Sequence, residues 1–263
     1  MFITGVTLPT VSSDELSTVG VDDVSEKGAV DIILSLAKDN KRHHYAVTAN
    51  SEFVMLAHRS EGFRQILNKS DVVVPDGVGV VLSKLMMGGR EQNRVTGVDL
   101  IDKICERSND LPIRIGLLGG FHNVAEKVKK RQQQKFPKIE VVFCGEGNPT
   151  IGYDLTLRKS INAKKGIDVL FVAYGMGQQE FWIRRNIDHL DVGVAIGVGG
   201  AFDYLAKVKT RAPKYMQKIG LEWLWRLAME PSRAKRMMVL PLFWVLVVRQ
   251  WLLQNVQNVF KRK

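Results

Sequence analysis

Along the chain, short apolar runs alternate with stretches in which apolar residues recur every three or four positions. Val72-Val-Val74, Val169-Leu-Phe-Val172 and Val192-Gly-Val-Ala-Ile196 are apolar at consecutive positions, the pattern of strands buried on both faces of a sheet. The pattern predicts strands over His44–Thr48, Asp71–Val74, Ile113–Leu117, Glu140–Cys144, Asp168–Val172 and Val192–Ile196. It predicts helices over Gly28–Ala37, Glu52–Leu67, Gly79–Met86, Val98–Arg107, Val124–Gln134 and Gln178–Ile187. Such alternation implies an α/β fold, a mainly parallel sheet with helices on both faces. Residues 1–19 lack periodicity and read as a leader, residues 20–205 as the α/β domain, and residues 206–263 as a basic, aromatic helical appendage. No internal repeat or low-complexity tract interrupts this plan.

Charge sharpens the division. The net charge of +11 belongs to the end of the chain, where residues 205–263 carry 13 Lys/Arg against Glu222 and Glu230, while residues 1–204 balance. The partner of that charge is therefore expected at the C-terminal end: phosphates, anionic lipids or nucleic acid. The apolar run Met237–Val248 holds 12 residues, contains Pro241 and stops at Arg249, short of the roughly 20 that span a bilayer. Followed by Trp251, Leu252, Leu253 and the terminal Lys261-Arg262-Lys263, it suits a segment lying in a membrane interface, the alternative being a buried packing helix. The N-terminus has neither the basic start nor the apolar run of a secretory signal. Cys105 and Cys144 are too few for a disulfide framework or a metal site and read as buried thiols.

In open parallel sheets ligands bind at the carboxyl ends of the strands, which directs attention to the residues following each one. Asp76-Gly77 leaves a buried-type strand, placing a carboxylate where a general base would stand; Asp-Gly is also a common turn dipeptide. Gly197-Val-Gly-Gly-Ala-Phe-Asp203 could cradle a phosphate, or its glycines could serve packing, with Asp203 a helix-start residue or a ligand to hydroxyls. The same two readings apply to Gly119-Gly120. Arg226, Arg233 and Arg236 are spaced to lie near one face of a helix and could clamp a diphosphate, or form a solvated basic face. Glu222 is expected to pair with Lys218 or Arg226. No Asp-x-Asp, P-loop or Gly-x-Ser-x-Gly motif occurs, and His43-His44 lacks the neighbours of a zinc site.

Taken in order, Thr48-Ala-Asn-Ser-Glu52, Val74-Pro-Asp-Gly-Val-Gly79, Arg94-Val-Thr-Gly-Val-Asp99, Leu117-Leu-Gly-Gly120, Gly175–Glu180, Gly197–Asp203, Arg211-Ala-Pro213, Gly220–Arg226 and Glu230-Pro-Ser-Arg233 with Arg236 form a series. It resembles the WecG/TagA/CpsF glycosyltransferases over roughly residues 20–240. The resemblance implies a Rossmann-like domain whose appendage closes over the site at a membrane. It also implies Asp76 as catalytic base, Thr48, Asn50, Arg94, Gln179 and Asp203 lining the donor and acceptor pocket, and Arg226, Arg233 and Arg236 holding the UDP diphosphate without metal or cofactor. One departure is visible: the family's usual Gly-x-Pro-Lys-Gln-Glu is here Gly175-Met-Gly-Gln-Gln-Glu180, which removes a positive charge. Gly145–Gly152 also lacks the family's usual Gly-Tyr-Phe pattern.

The expectation is thus an inverting, metal-independent, β-forming hexosyltransferase of exopolysaccharide or other cell-surface polysaccharide biosynthesis. It would move glucose, N-acetylmannosamine (ManNAc) or its uronate from a UDP-sugar to an undecaprenyl-diphosphate-linked saccharide. It would work peripherally on the cytoplasmic face of the inner membrane through residues 237–263, without nucleic acid, with homo-oligomerisation left open. The competing reading is a non-catalytic basic protein that binds membrane or nucleic acid.

Overall fold

A computed structural model describes residues 5–8, 18–39 and 41–260. Six parallel strands form its centre: β3 (His44–Ala49), β4 (Val72–Pro75), β5 (Arg114–Gly119), β6 (Glu140–Gly145), β7 (Ile167–Ala173) and β8 (Val192–Gly197), in the order β4-β3-β8-β7-β5-β6. The consecutive apolar residues divide by the two-residue strand period. Val169 and Phe171 enter one core with Val194 and Ile196, while Leu170 and Val172 enter the other with Val192 and Ala195. The first core is covered by α1 (Glu26–Lys38), α5 (Gly97–Arg107), α6 (Val124–Lys135) and α9 (Ala201–Leu205). The second is covered by α2 (Ser51–Arg59), α3 (Glu61–Asn68) and α8 (Gln178–Asn186).

Several elements depart from the sequence expectation for visible reasons. The single helix expected over Glu52–Leu67 is two, because Ser60 adopts an extended backbone and its hydroxyl accepts from Phe63 N to start α3 anew. Part of the expected leader is a strand, β1 (Gly5–Leu8), which pairs antiparallel with β2 (Val19–Asp22) at the start of the α/β domain. Helix α7 (Asp154–Asn162) was not expected; it buries only Asp154 and Ile161, so its apolar period is faint.

After α4 (Val78–Met86) and α9, the chain continues as α10 (Lys214–Lys218), α11 (Glu222–Met229), α12 (Ala234–Met237) and α13 (Leu240–Phe260). The apolar segment does not end at Arg249: α13 runs 21 residues, with Pro241 in its first turn where no intrahelical N–H is needed. By length and composition it could cross a bilayer. Its first half, however, is docked, with Phe243, Leu246 and Val247 buried in the second core, while Val245, Leu252, Leu253 and Val256 are more than half exposed.

Candidate active site

Parallel register aligns Ala49 with Pro75 and Val47 with Gly197, so β3, β4 and β8 deliver Asn50, Asp76 and Val198 to one edge of the sheet. Asn50 caps α2, its Oδ1 accepting from Glu52 N and Phe53 N at 2.9 and 3.2 Å. The backbone N–H of Asp76 donates to Ala49 O at 2.8 Å. Gly77 is not a turn glycine. Its φ of −149° is extended, and it precedes α4 so close to Asn50 that an added Cβ would lie 3.2 Å from Asn50 Cβ. The Asp-Gly pair therefore presents the carboxylate at a helix start, with the glycine there for close approach.

Asp76 is half-buried and makes no ion pair of its own among the described residues. Desolvation pushes its carboxyl up to about 7, against the attraction of Arg226 and Arg94. A carboxylate titrating there is matched to accepting a proton near neutral pH. Glu180 is also raised to about 7 by burial, but it is sealed: its oxygens accept from Gly177 N at 2.7 Å and Gln179 Nε2 at 2.6 Å. Of the two, only Asp76 keeps part of its surface exposed to solvent.

The arginines around Asp76 are held by a carboxylate whose role the sequence left ambiguous. Glu222, nearly inaccessible at the start of α11, accepts from Arg94 Nη2 at 2.5 Å and from Arg226 Nη2 at 2.7 Å, and stands 3.6 Å from Arg211. Lys218 is not among these partners. Arg211 in turn forks onto Asp99, at 2.8 and 3.0 Å, which also accepts from Thr96. Burial opposes the charge on Glu222, yet Arg226, Arg211 and Arg94 hold its pKa below the ordinary value. The network fastens the appendage to the sheet edge and keeps two guanidinium groups beside Asp76. Arg94 and Arg211 lie in motifs visible in the sequence; their meeting across more than 100 residues has no local signal.

Arg226, Arg233 and Arg236 do not share one helix face as their spacing suggested. Glu230-Pro231 breaks the helix, leaving Arg226 on α11, Arg233 in a single 3₁₀ turn and Arg236 on α12. Carboxylates place them instead. Arg226 pairs with Glu222 and lies over the Tyr204 ring at 5.0 Å. Arg233 binds Glu230 at 2.7 Å, Glu230 binds Lys209, and Lys209 binds Asp203, each at 3.0 Å. Arg236 reaches Glu52, beside Asn50, at 3.0 Å.

At the end of β8, Gly197 serves packing. A Cβ on Gly197 would fall 2.5 Å from Glu180 Oε1 and 2.7 Å from Gln179 Nε2, and the N–H groups of Val198 and Gly199 already donate to Val172 O and Gln179 Oε1. Two N–H groups of the loop are thus engaged by protein, while Gly200 has open space around it; Gly119, like Gly197, is closely packed, on the backbone of Ala173. Buried Thr48 donates to Gly197 O at 2.9 Å, and buried Gln179 has both ends of its amide engaged by protein. Both brace this loop. The departure at Gly177 also has a conformational side: its φ of +85° is closed to proline, and its N–H holds Glu180.

Comparison with known proteins agrees with this architecture. A profile of the glycosyl transferase WecG/TagA/CpsF family matches residues 15–257. The N-acetylglucosaminyldiphosphoundecaprenol N-acetyl-beta-D-mannosaminyltransferase of Bacillus subtilis (strain 168) is 32% identical over 204 residues, 77% of this chain and 78% of that protein. Proteins of the same description from Staphylococcus aureus (strain MW2) and Bacillus spizizenii are 30% and 28% identical. They cover 79% and 80% of this chain, and 80% and 81% of their own lengths. The chain belongs to the WecG/TagA/CpsF glycosyl transferase family.

Proposed function

We propose that the protein transfers one sugar, ManNAc in preference to glucose or the uronate, from its UDP derivative to a sugar on undecaprenyl diphosphate. The narrowing of the donor follows the relatives' names. The observation that carries the mechanism is a partly exposed carboxylate at the sheet edge, raised to about 7 by desolvation and under the attraction of Arg226 and Arg94. Asp76 takes the proton of an acceptor hydroxyl as its oxygen bonds to the anomeric carbon. The bond from that carbon to the diphosphate breaks on the opposite side, and its electron pair leaves on UDP. Direct displacement inverts the centre and forms a β linkage from an α-linked donor. Charge growing on the departing phosphate is met by Arg226, Arg233 and Arg236, which supply the stabilisation a metal would otherwise give.

Because the base must be ionised, kcat/KM is expected to rise with pH through about 7 and level off above it. A rate independent of pH between 5 and 8, with chemistry limiting, would contradict the assignment.

The reaction is assigned to the cytoplasmic face of the membrane, with α13 lying in the interface. The exposed side of α13 forms an apolar trough of Trp244, Val245, Val248, Leu252, Leu253 and Val256 with Arg249 alongside, and its docked half leaves too little free helix to span. Leu252 and Leu253 are each 52% exposed, so the double substitution Leu252→Glu/Leu253→Glu should preserve the fold. Each leucine gives about 1.5 kcal/mol on transfer, and recovery with anionic vesicles in flotation is expected to fall at least tenfold. Unchanged recovery would remove α13 from the membrane contact.

A further inference from the structure

The first helix of the appendage carries a charge pattern that the transfer step does not use. In α10, Lys214 and Lys218 are exposed and four residues apart, so their ammonium groups lie on one side of a single turn. With Arg211, Asp99 and Gln217 they line a cleft of about 400 Å³. The other cations named around the site have carboxylate partners: Arg211 on Asp99, Arg226 on Glu222, Lys209 on Asp203, Arg233 on Glu230 and Arg236 on Glu52. Asp99, the acid of the cleft, is thereby taken. Lys214 and Lys218 have no carboxylate partner among the described residues. Like charges one helical turn apart repel each other, and an anion between them relieves that repulsion.

The cleft lies beside the reacting centre. Gly220, at φ +77°, ends α10 so close to α4 that an added Cβ would fall 2.8 Å from Cγ2 of Val78, two residues after Asp76. Next to the lysine row, Tyr215 and Ile219 are also four residues apart, 66% and 63% exposed. One turn thus offers a cationic row and an apolar row side by side, the complement of a diphosphate joined to a hydrocarbon chain.

We propose that this cleft is the subsite for the acceptor's diphosphate, with Lys214 and Lys218 holding the phosphates and Tyr215 and Ile219 meeting the first units of the lipid. The proposal rests on the transfer reading above and adds to it that the two diphosphates of the reaction have separate cationic sets. In the relatives' acceptor, by its name, one N-acetylglucosamine carries the diphosphate. The phosphates must then bind within a sugar ring of the base, as the contact of Gly220 with Val78 allows.

The test uses the full chain, Lys214→Gln/Lys218→Gln against wild type. The acceptor is a water-soluble N-acetylglucosaminyl diphosphate on a short alkyl chain, the donor UDP-ManNAc. The variant is expected to raise the acceptor KM, and its calorimetric Kd, by about tenfold or more, as loss of charge-assisted phosphate contacts implies. The KM for donor should move little, and Lys214→Arg/Lys218→Arg should recover most of the loss. Flotation on phosphatidylglycerol vesicles should stay near the wild-type level. Unchanged acceptor KM and Kd would overturn the proposal, as would a rise confined to the donor KM. A defect seen only with vesicle-borne acceptor, matched by lost vesicle binding, would reassign the lysines to lipid headgroups and overturn it equally. If wild type binds UDP but transfers nothing, the transfer reading fails, while the calorimetric Kd still decides whether the cleft binds sugar diphosphates.

Discussion

Asp76→Asn is expected to lower kcat by about 10³-fold, within the range a positioned general base contributes, while the affinity for UDP stays close to wild type. The substitution keeps the shape of the side chain at the sheet edge and removes only its capacity to take a proton. The arginines assigned to the donor diphosphate are fixed by other carboxylates, Glu222, Glu230 and Glu52, so the donor site should survive. The residual activity should also lose the rise through pH 7 seen in wild type, because Glu180, the other acid raised to about 7, is closed off by its own hydrogen bonds. Steady-state rates across pH together with UDP titrations check both halves. A variant within a few-fold of wild-type kcat would show that another group accepts the proton.

Glu222→Gln is expected to be the most destabilising single change at the site. Glu222 is a nearly inaccessible carboxylate between three arginines, and removing one partner of such a set leaves guanidinium charge uncompensated. The three arginines keep some access to water, which places the cost near the lower end of that class, about 3 kcal/mol. For a chain of this size that corresponds to a fall in Tm of about 5 to 10 °C. The pH dependence has a definite sign. The folded pKa of Glu222 lies below its ordinary value of 4.5, so its contribution is present above that value and is lost as pH falls below it. Wild type and variant should therefore differ most near pH 7 and converge in acid. Because Glu222 ties α11 to Arg94 at the sheet edge, limited proteolysis of the variant should begin between α9 and α11. A wild-type Tm at neutral pH would mean that the network does not hold the appendage.

The parallel sheet was legible because its strands are apolar at consecutive positions: Val169 to Val172 feed both cores, a pattern no half-exposed strand produces. The helix break at Ser60 was hidden inside an apolar period that continues through α2 and α3, and α7 was hidden because its contacts with the core are few. At the site, Asp76 could be singled out from its place after a buried strand, although its companion glycine looked like a turn signal. The arginines were recognisable as a group, but not how they are held. A helical spacing suggested a shared face, whereas Pro231 breaks the helix and distant carboxylates position each guanidinium. Gln179 and Thr48 stood among the pocket residues implied by the resemblance; their side chains brace the β8 loop from within. Glu222 could not be recognised as a hub, because Arg94 lies 128 residues away and nothing local records that pairing.

The central claim, sugar transfer onto a lipid-linked diphosphate, is tested most directly by the mass of the product. Purified protein incubated with UDP-ManNAc and an N-acetylglucosaminyl-diphosphate lipid should yield an acceptor heavier by one N-acetylhexosamine, with one UDP released for each product formed. Release of UDP without a heavier acceptor, or no change in acceptor mass with any UDP-sugar that the protein binds, would contradict it.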